Sequence, residues 1–250
     1  MAILSEISTY LGDLLCIKTT GDYPQALNGL HLENDGNVTR IAAAVDACEA
    51  VLVEATKREV DLLLVHHGLF WNTAPFTGGM YRKMKAAIQG NLAVYSAHLP
   101  LDVHPLYGNN ALLANAIDLI NLQPFFPSKG QPVGLIGQCT VSRSALLQKL
   151  ASVLGSPVHL CPGGPEFPKC VGVITGGAGS EVAKVAAAGV DTFITGEGPH
   201  WSYTLAEELG VNLFYGGHYA TETLGVKALA SHLSEHFDLP WEYIPHPTGL

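Results

Sequence analysis

The stretch VDLLLVHHG at residues 60–68 decides the fold class, because a short apolar run ends there at two histidines and a glycine. A run of this length, bounded by turn signals, indicates a strand that is buried on both faces. The stretch VDTFITGEG at residues 190–198 begins with the same Val-Asp pair and has the same form. The chain is therefore predicted to contain two buried strands that each end in polar residues.

Segments of strand and helix character alternate around both stretches, which is typical of α/β folds. Pro and Gly are concentrated in PFFPSKGQPVG at 124–134, which predicts a junction between two halves. We expect one unit of residues 1–250 built from two related, interlocked α/β lobes with largely parallel sheets, approximately 1–124 and 125–250, and a metal site between them. The other predicted strands are VTRIAAAVDA (38–47), LAVYSAH (92–98), CVGVITGG (170–177) and NLFYGG (212–217).

A second internal match pairs VYSAHLPLD at 94–102 with FYGGHYATE at 214–222. It aligns His98 with His218 and Asp102 with Glu222, so each half offers a histidine followed four residues later by a carboxylate. Fixed-offset similarity of this kind is the signature of an internal duplication. The two halves are predicted to contribute equivalent groups to one central site.

Composition excludes several partner classes. The formal net charge is -9, with 13 Lys and Arg against 22 Asp and Glu and no basic cluster, so neither nucleic acid nor an anionic membrane surface is expected as a partner. The five cysteines form no C-x-x-C pair, which favours free thiols and a reducing compartment. The N-terminus lacks the features of a signal peptide, and no apolar run reaches the length of a membrane span. We expect a cytoplasmic protein.

Histidines and carboxylates are concentrated where predicted strands end, the position at which α/β folds place ligand sites. His218 and Glu222 are four residues apart at the start of a predicted helix, so both project from one face. Pro100 disfavours a helix between His98 and Asp102, and a turn is expected there. Imidazole and carboxylate at this spacing can bind one divalent metal ion or bridge two, and without thiolates they suit zinc, manganese, iron, cobalt or nickel. The candidate metal ligands are His66, His67, His98, Asp102, His218 and Glu222.

The remaining chemistry-bearing residues have weaker patterns. Glu197 occupies the repeat position of His67 and is either a catalytic acid or base or a cap for the helix after Pro199. Successive side chains of a strand alternate, so His66 and His67 are expected to point differently and to serve different metals. The glycine-rich stretch VITGGAGSE at 173–181 lacks the lysine and the spacing of a phosphate-binding loop. The histidines outside the candidate set are interpreted as structural.

These motifs resemble the NIF-three-like dinuclear metal-binding family, whose members are often named GTP cyclohydrolase I type two homologues. The resemblance extends over nearly the whole chain, and its most specific elements are the double histidine and the G-H-x-x-T-E stretch. The matching segments are NGLHLE (28–33), AAAVDA (42–47), LLVHHGLFW (63–71), YSAHLPLDVHPLYGNN (95–110), ITGE (194–197) and GGHYATE (216–222). His31 stands where the family more often has glutamine.

The resemblance implies metal ligation by His66, His67, Asp102, His218 and Glu222, with His98 as a further ligand. It also implies a homohexameric ring and a small-molecule substrate. A pair of metals supports hydrolysis, so the leading hypothesis is a metal-dependent hydrolase acting on GTP, a related nucleotide or a phosphoester. The alternative is a non-catalytic metal-binding or metal-insertion protein, or a hexameric adapter for protein partners.

Overall fold

The computed structural model describes residues 1–71 and 75–250. The chain divides into two units, of which the first comprises Met1–Leu101 with Gly225–His246 and the second comprises Asp102–Leu224 with Pro247–Leu250. The chain thus leaves the first unit at Leu101 and returns to it at Gly225. The fold class is α/β, as predicted, since each unit combines helices with a sheet that contains parallel strands.

In the first unit a five-stranded sheet has the order β13-β4-β5-β6-β2, and a separate pair joins β1 to β3. Strands β13, β4, β5 and β6 are parallel, and β2 is antiparallel to β6. The elements are β1 Ala2–Ile3, α1 Leu4–Leu14, β2 Gly29–Leu32, β3 Asn37–Val38, β4 Ile41–Asp46, α2 Glu49–Lys57, β5 Leu62–His67, α3 Gly78–Gln89, β6 Ala93–Ser96 and, near the C-terminus, β13 Trp241–Tyr243.

Burial explains why β4, β5 and β6 form where they do. All residues from Leu62 to His66 are buried, as are those from Ile41 to Val45, so both faces of these strands are covered. Alternate residues of β5, Leu63 and Val65, pack in one apolar cluster with residues of α2 and α3. Burial of such side chains supplies the main favourable free energy of the unit. The sheet therefore holds the carboxyl ends of β5 and β6 in a fixed position.

The second unit contains a six-stranded sheet with the order β7-β8-β10-β11-β12-β9. Only β10, β11 and β12 are parallel to one another, so this sheet is mixed rather than largely parallel. The elements are α5 Asn109–Ala116, β7 Ile120–Ser128, β8 Gln131–Gln138, α6 Arg143–Leu154, β9 His159–Pro162, β10 Val171–Val173, a 3-10 turn Gly179–Glu181, α7 Val182–Ala187, β11 Thr192–Thr195, α8 Trp201–Leu209, β12 Asn212–Tyr215 and α9 His218–Thr221.

Two helices extend across the residues at which the units are divided, namely α4 Leu99–Asp102 and α10 Thr223–Phe237. The helix α4 corrects the expectation of a turn between His98 and Asp102, which rested on the disfavouring of a helix by Pro100. Proline is tolerated in the first turn of a helix, because the N–H that it lacks would have no helical partner in any case. The segment between His98 and Asp102 is therefore a short helix.

The segment PFFPSKGQPVG, expected to join two halves, instead forms part of a β-hairpin inside the second unit. Strands β7 and β8 pair antiparallel, with Ser128 opposite Gln131. Lys129 and Gly130 form the turn with φ values of 52° and 82°. Two positive φ values are what a two-residue type I′ hairpin turn requires. Pro and Gly thus indicate a turn correctly, while the boundary of the units lies at Leu101 and the C-terminal Gly225–His246 belongs with the first unit.

The strands most informative in the sequence occupy equivalent places in the two units. Strand β5 lies between β4 and β6, and β11 lies between β10 and β12, so each has a parallel strand on both sides. This equivalence agrees with the internal match of residues 60–68 with 190–198. Among the described residues, no helix combines the length and the apolar character needed to cross a bilayer.

Candidate metal centre

Three histidines of the first unit converge where β5 and β6 end. His66 and His67 are the last two residues of β5, and His98 follows β6 by two residues. One potential ligand atom of each lies within 4.8 Å of the others. The ring centroids of His66 and His67 are 4.8 Å apart. The two rings therefore lie close together although the residues are successive in the strand. The structure therefore brings all three imidazoles together.

Each of these rings is held through its Nδ1 atom. Nδ1 of His66 lies 2.9 Å from the carbonyl oxygen of Ala97, and Nδ1 of His67 lies 2.8 Å from Oδ1 of Asp46. Nδ1 of His98 lies 2.8 Å from Oδ1 of Asp22. A carbonyl or carboxylate oxygen can only accept, so each Nδ1 carries the proton and donates it. In the neutral ring Nε2 then keeps a lone pair, which is how metal-binding histidines are usually oriented.

Asp22 is the centre of a network that fixes His98. Its side chain is 6% exposed, and its Oδ2 atom accepts from Nδ2 of Asn28 at 2.9 Å and from the backbone N–H of Leu99 at 3.1 Å. Oδ1 of Asn28 in turn accepts the backbone N–H of His98 at 2.7 Å. Burial raises the pKa of Asp22, but the hydrogen bonds and charge of His98, with the bonds from Asn28 and Tyr23, outweigh it and lower the pKa. Asp22 is thus held as a carboxylate.

His31 has a structural role beside this cluster. Its Nδ1 atom accepts the backbone N–H of Leu69 at 3.1 Å, and its Nε2 atom lies 3.1 Å from the carbonyl oxygen of Leu27, to which it donates. Burial lowers the pKa of His31. The ring also lies against Gly68, where an added Cβ would be 2.2 Å from its Cε1 atom. His31 therefore braces the turn that directly follows His67.

In the second unit, His218 lies between two carboxylates. Its Nδ1 atom is 2.8 Å from Oε1 of Glu197, and its Nε2 atom is 3.1 Å from Oε1 of Glu222. Burial lowers the pKa of His218, but the hydrogen bonds and charges of Glu222 and then Glu197 outweigh it and raise the pKa to about 9. In this arrangement the imidazole is protonated at neutral pH. His218 can then donate a hydrogen bond to each of the two carboxylates, from Nδ1 to Glu197 and from Nε2 to Glu222.

The two glutamates differ in their access to solvent. The side chain of Glu222 is 3% exposed, whereas that of Glu197 is 43% exposed. A buried carboxylate beside an imidazole is suited to holding a cation, and an exposed one can exchange protons with solvent or substrate. Glu197 contacts His218 rather than the start of α8, where the cap residue His200 makes no capping bond through its side chain. The contact places the Glu197 side chain against His218, and its role as an acid or base stays a prediction.

Asp102 is buried, and neighbours that the sequence analysis did not single out orient it. Its Oδ1 atom accepts from Nδ2 of Asn109 at 2.8 Å and from the hydroxyl of Thr175 at 3.4 Å. Nδ2 of Asn110 donates to the backbone oxygens of Asp102 and Val133 at 3.1 and 3.0 Å. The sequence signal for these neighbours was the pair Asn109 and Asn110 at the start of the apolar helix α5. Buried amides need hydrogen-bond partners, so such a pair predicts nearby polar groups.

Glycines pack the backbone closely around His218 and Glu222. Gly176 has a φ of +72°, and an added Cβ would lie 2.4 Å from Oε1 of Glu222. A Cβ added to Gly196 would lie 2.6 Å from the carbonyl oxygen of Gly176. The glycine-rich stretch at 173–181 therefore serves close backbone packing beside these side chains.

The seven predicted site residues thus lie in two sets. His66, His67 and His98 form one set in the first unit, and Asp102, Glu197, His218 and Glu222 lie in the second unit. Sequence reasoning missed Asp22 and Asp46, which lie before the histidine motifs. Asp46 is the last residue of β4 and pairs in register with His67, so the signal for it was a carboxylate at the end of the neighbouring parallel strand.

Comparison with known proteins extends over nearly the whole chain. A curated relative from Deinococcus radiodurans, named GTP cyclohydrolase 1 type 2 homolog, is 42% identical over 98% of this chain and 94% of its own. A relative of the same name from Halobacterium salinarum is 39% identical over 99% of both chains. The crystal structure of TTHA1606 from Thermus thermophilus superposes with a TM-score of 0.92 at 38% identity, covering 100% of both chains. The Duf34/NIF3 (NGG1p interacting factor 3) family model matches residues 2–247, and the chain belongs to that family.

Proposed function

We propose that this protein binds two divalent metal ions per chain and acts as a metal-dependent hydrolase. The proposed ligands are His66, His67, His98, Asp102, His218 and Glu222. The observation that carries the proposal is the convergence of three imidazoles whose Nδ1 atoms are all engaged by oxygen acceptors. Such engagement orients each ring and keeps the lone pair of the neutral imidazole on Nε2, the atom through which a histidine held in this way binds a cation.

The donor set fits a borderline divalent cation. Imidazoles and carboxylates suit zinc, manganese, iron, cobalt and nickel, whereas calcium and magnesium prefer all-oxygen sites. The pairing of His218 with Glu222 supports a cation there too, because an imidazole nitrogen and a buried carboxylate oxygen lie 3.1 Å apart and both are atoms that bind such cations. Bound divalent ions would supply Lewis-acid polarisation of a substrate and would make a water more acidic.

The residues of the chain supply orientation and proton transfer. Asp22 and Asp46 hold the rings of His98 and His67 in one tautomer. Glu197 has an exposed carboxylate in contact with His218, so it can take a proton from an attacking group and return it to a leaving group. The relatives' name makes GTP the first substrate to test, with other nucleotides and phosphoesters after it.

Metal content of the reconstituted protein, measured by inductively coupled plasma mass spectrometry, tests the binding proposal. We expect two ions per wild-type chain and fewer in the His66→Ala and His67→Ala variants. The His200→Ala variant is the control, because His200 is exposed at the start of α8. Fewer than two ions in the wild type, or equal occupancy in all variants, would contradict the proposal.

Turnover is tested separately on the reconstituted protein. We expect hydrolysis of GTP or of another nucleotide or phosphoester that falls strongly in Glu222→Ala and in Glu197→Gln. Activity equal in the wild type and Glu222→Ala would identify a contaminating enzyme. Full metal occupancy with no turnover across this substrate set would leave the non-catalytic metal-binding alternative.

A homohexamer is the proposed assembly. It rests on the resemblance of the sequence motifs to the NIF-three-like family, which implies a hexameric ring. Light scattering of the purified chain is expected to give the mass of six copies. A monomeric mass would contradict this part of the proposal.

A further inference from the structure

The segment Pro247–Leu250 lies against the loop that carries His218. It belongs to the second unit, although β13 before it belongs to the first. The backbone oxygen of Leu250 accepts the backbone N–H of Tyr219 at 3.0 Å. A Cβ added to Gly217 would lie 3.4 Å from the same oxygen, which is the distance of ordinary van der Waals contact. Leu250 therefore lies beside both chain neighbours of His218.

The other side of this loop is fixed by the end of β11. The backbone N–H of Gly217 donates to the carbonyl oxygen of Gly196 at 2.9 Å, and the N–H of Gly196 donates to the carbonyl oxygen of Gly176 at 2.8 Å. Gly176 and Gly196 are both buried, so this side of the loop is anchored in the interior of the unit. The loop is thus held from within by buried backbone and from outside by Leu250.

The segment 247–250 covers little of the protein. Every residue from 245 to 250 is exposed, and Leu250 is 67% exposed. The segment is bent by Gly249, whose φ is +84°, and the N–H of Leu250 donates to the hydroxyl of Thr248 at 3.3 Å. A positive φ of this kind is a conformation that glycine adopts readily. The segment can therefore leave the loop without exposing the apolar core.

The contact of Leu250 acts on the first turn of α9. This helix begins at His218 and ends at Thr221, so Tyr219 is its second residue. The first N–H groups of a helix have no partner within the helix, and the Leu250 oxygen accepts one of them. Exposed helix ends open at a lower free energy than the core does. Loss of this acceptor is therefore expected to let the first turn open, and His218 moves with it.

We propose that the segment 247–250 is a detachable strap, which holds the first turn of α9 in place and slows the exchange of a divalent cation at His218. With the strap attached, His218 is fixed beside Glu222, whose side chain is 3% exposed. With the strap released, the imidazole is free to move away from that carboxylate. The cation in this statement rests on the proposed function, whereas the action of the strap on α9 does not.

Hydrogen–deuterium exchange of the metal-free protein, read by mass spectrometry, tests the strap itself. In a variant that lacks residues 248–250, we expect the peptide 216–222 to exchange several times faster than in the wild type. The control is Leu250→Ala, which removes an exposed side chain and keeps the backbone oxygen, so it should exchange as the wild type does. The peptide 190–195, in and before β11, should be unchanged in every variant and reports that the unit is folded.

Gly249→Val tests the same point at full chain length. A β-branched residue is strained at a φ of +84°, so the bend that brings Leu250 to Tyr219 is disfavoured. An added Cβ at this position has nothing within 4 Å, so the change introduces no clash. We expect the peptide 216–222 to exchange faster in this variant too.

Release of zinc tests the regulation. The zinc-loaded protein is mixed with an excess of the chelator 4-(2-pyridylazo)resorcinol, and the coloured complex is followed by stopped-flow absorbance. We expect faster release from the truncated chain and from Gly249→Val, but equal zinc content of all variants at saturating zinc. Equal content is expected because the strap supplies none of the proposed ligands.

Each other result overturns a stated part of the proposal. Equal deuterium exchange of the peptide 216–222 in the wild type and the truncated chain would show that the segment is not a strap. Faster deuterium exchange with unchanged zinc release would show that the strap does not control the cation. Complete loss of zinc from the truncated chain would make the segment a required part of the site rather than a detachable one. A wild type without zinc would contradict the proposed function, and deuterium exchange would then decide on the strap alone.

Discussion

His98 donates its Nδ1 proton to Oδ1 of Asp22 across 2.8 Å, and this bond fixes both the tautomer and the direction of the ring. The carboxylate is held from three further directions, by Asn28 and by the backbone N–H groups of Tyr23 and Leu99. His98 is therefore anchored as firmly as His66, whose partner is a backbone carbonyl group. This geometry supports His98 as a direct metal ligand.

The Asp22→Asn variant is expected to weaken metal binding about 10–100-fold, the usual effect of removing the outer partner of a ligating histidine. The neutral amide can still hydrogen-bond to Nδ1, but it no longer requires the Nδ1–H tautomer and it lacks the negative charge. Competition with a chelator of known affinity measures the change. The exposed Asp13→Asn is the control for loss of a carboxylate. Equal affinity in the two variants would show that Asp22 does not orient a ligand.

The Asp46→Asn variant is expected to weaken metal binding less than Asp22→Asn does. Asp46 makes the same bond to His67 at 2.8 Å, but its side chain is 30% exposed, against 6% for Asp22. Water near an exposed carboxylate screens its charge and can replace part of the lost hydrogen bond. The same chelator competition ranks the two variants. A larger loss for Asp46→Asn would mean that exposure does not govern these contributions.

Apolar periodicity and strand ends predicted much of this fold. The buried runs before His66 and Thr195 form strands with a parallel neighbour on both sides, because continuous apolar residues suit strands covered on both faces. The same reasoning assigned the 124–134 segment to a junction, since Pro and Gly mark turns without saying whether the turn joins strands or units. The antiparallel pairing of β7 with β8 shows that this turn joins two strands of one sheet.

The sequence predicted the histidines of the candidate site, but it did not predict the carboxylates that hydrogen-bond to them, Asp22 and Asp46. Strand alternation predicted that His66 and His67 point differently, and their rings nevertheless lie 4.8 Å apart, with an angle of 49° between the ring planes, at the end of β5. Asp22 lies 76 residues before His98, so no local spacing could connect the two. Contacts of this kind depend on how loops pack, which a sequence pattern of period 2 or 3.6 does not encode.

The Gly176→Ala variant is expected to disturb the pair His218 and Glu222. The added Cβ would lie 2.4 Å from Oε1 of Glu222, and the positive φ adds backbone strain of about 1–2 kcal/mol. The control is Gly189→Ala, which has a φ of +86° and nothing within 4 Å of the added atom. Both variants should lose stability to denaturant, but only Gly176→Ala should also lose metal. Equal metal content in the two would contradict a role for Gly176 in placing Glu222.

His31 gives the stability of the protein an acid-dependent component. Burial lowers its pKa in the folded state below the ordinary value of 6.5, so the unfolded chain binds its proton first as the pH falls. Stability falls wherever the unfolded state binds more protons, and this contribution is therefore lost as the pH drops from about 6.5 through the lower folded pKa. The His31→Gln variant removes the titration, and the glutamine amide can still accept from Leu69 and donate to Leu27. Urea unfolding at about pH 7.5 and about pH 5 should show a smaller decrease in the variant than in the wild type, because only the wild type carries this proton linkage. Equal decreases would mean that His31 titrates alike in both states and that its burial does not resist protonation.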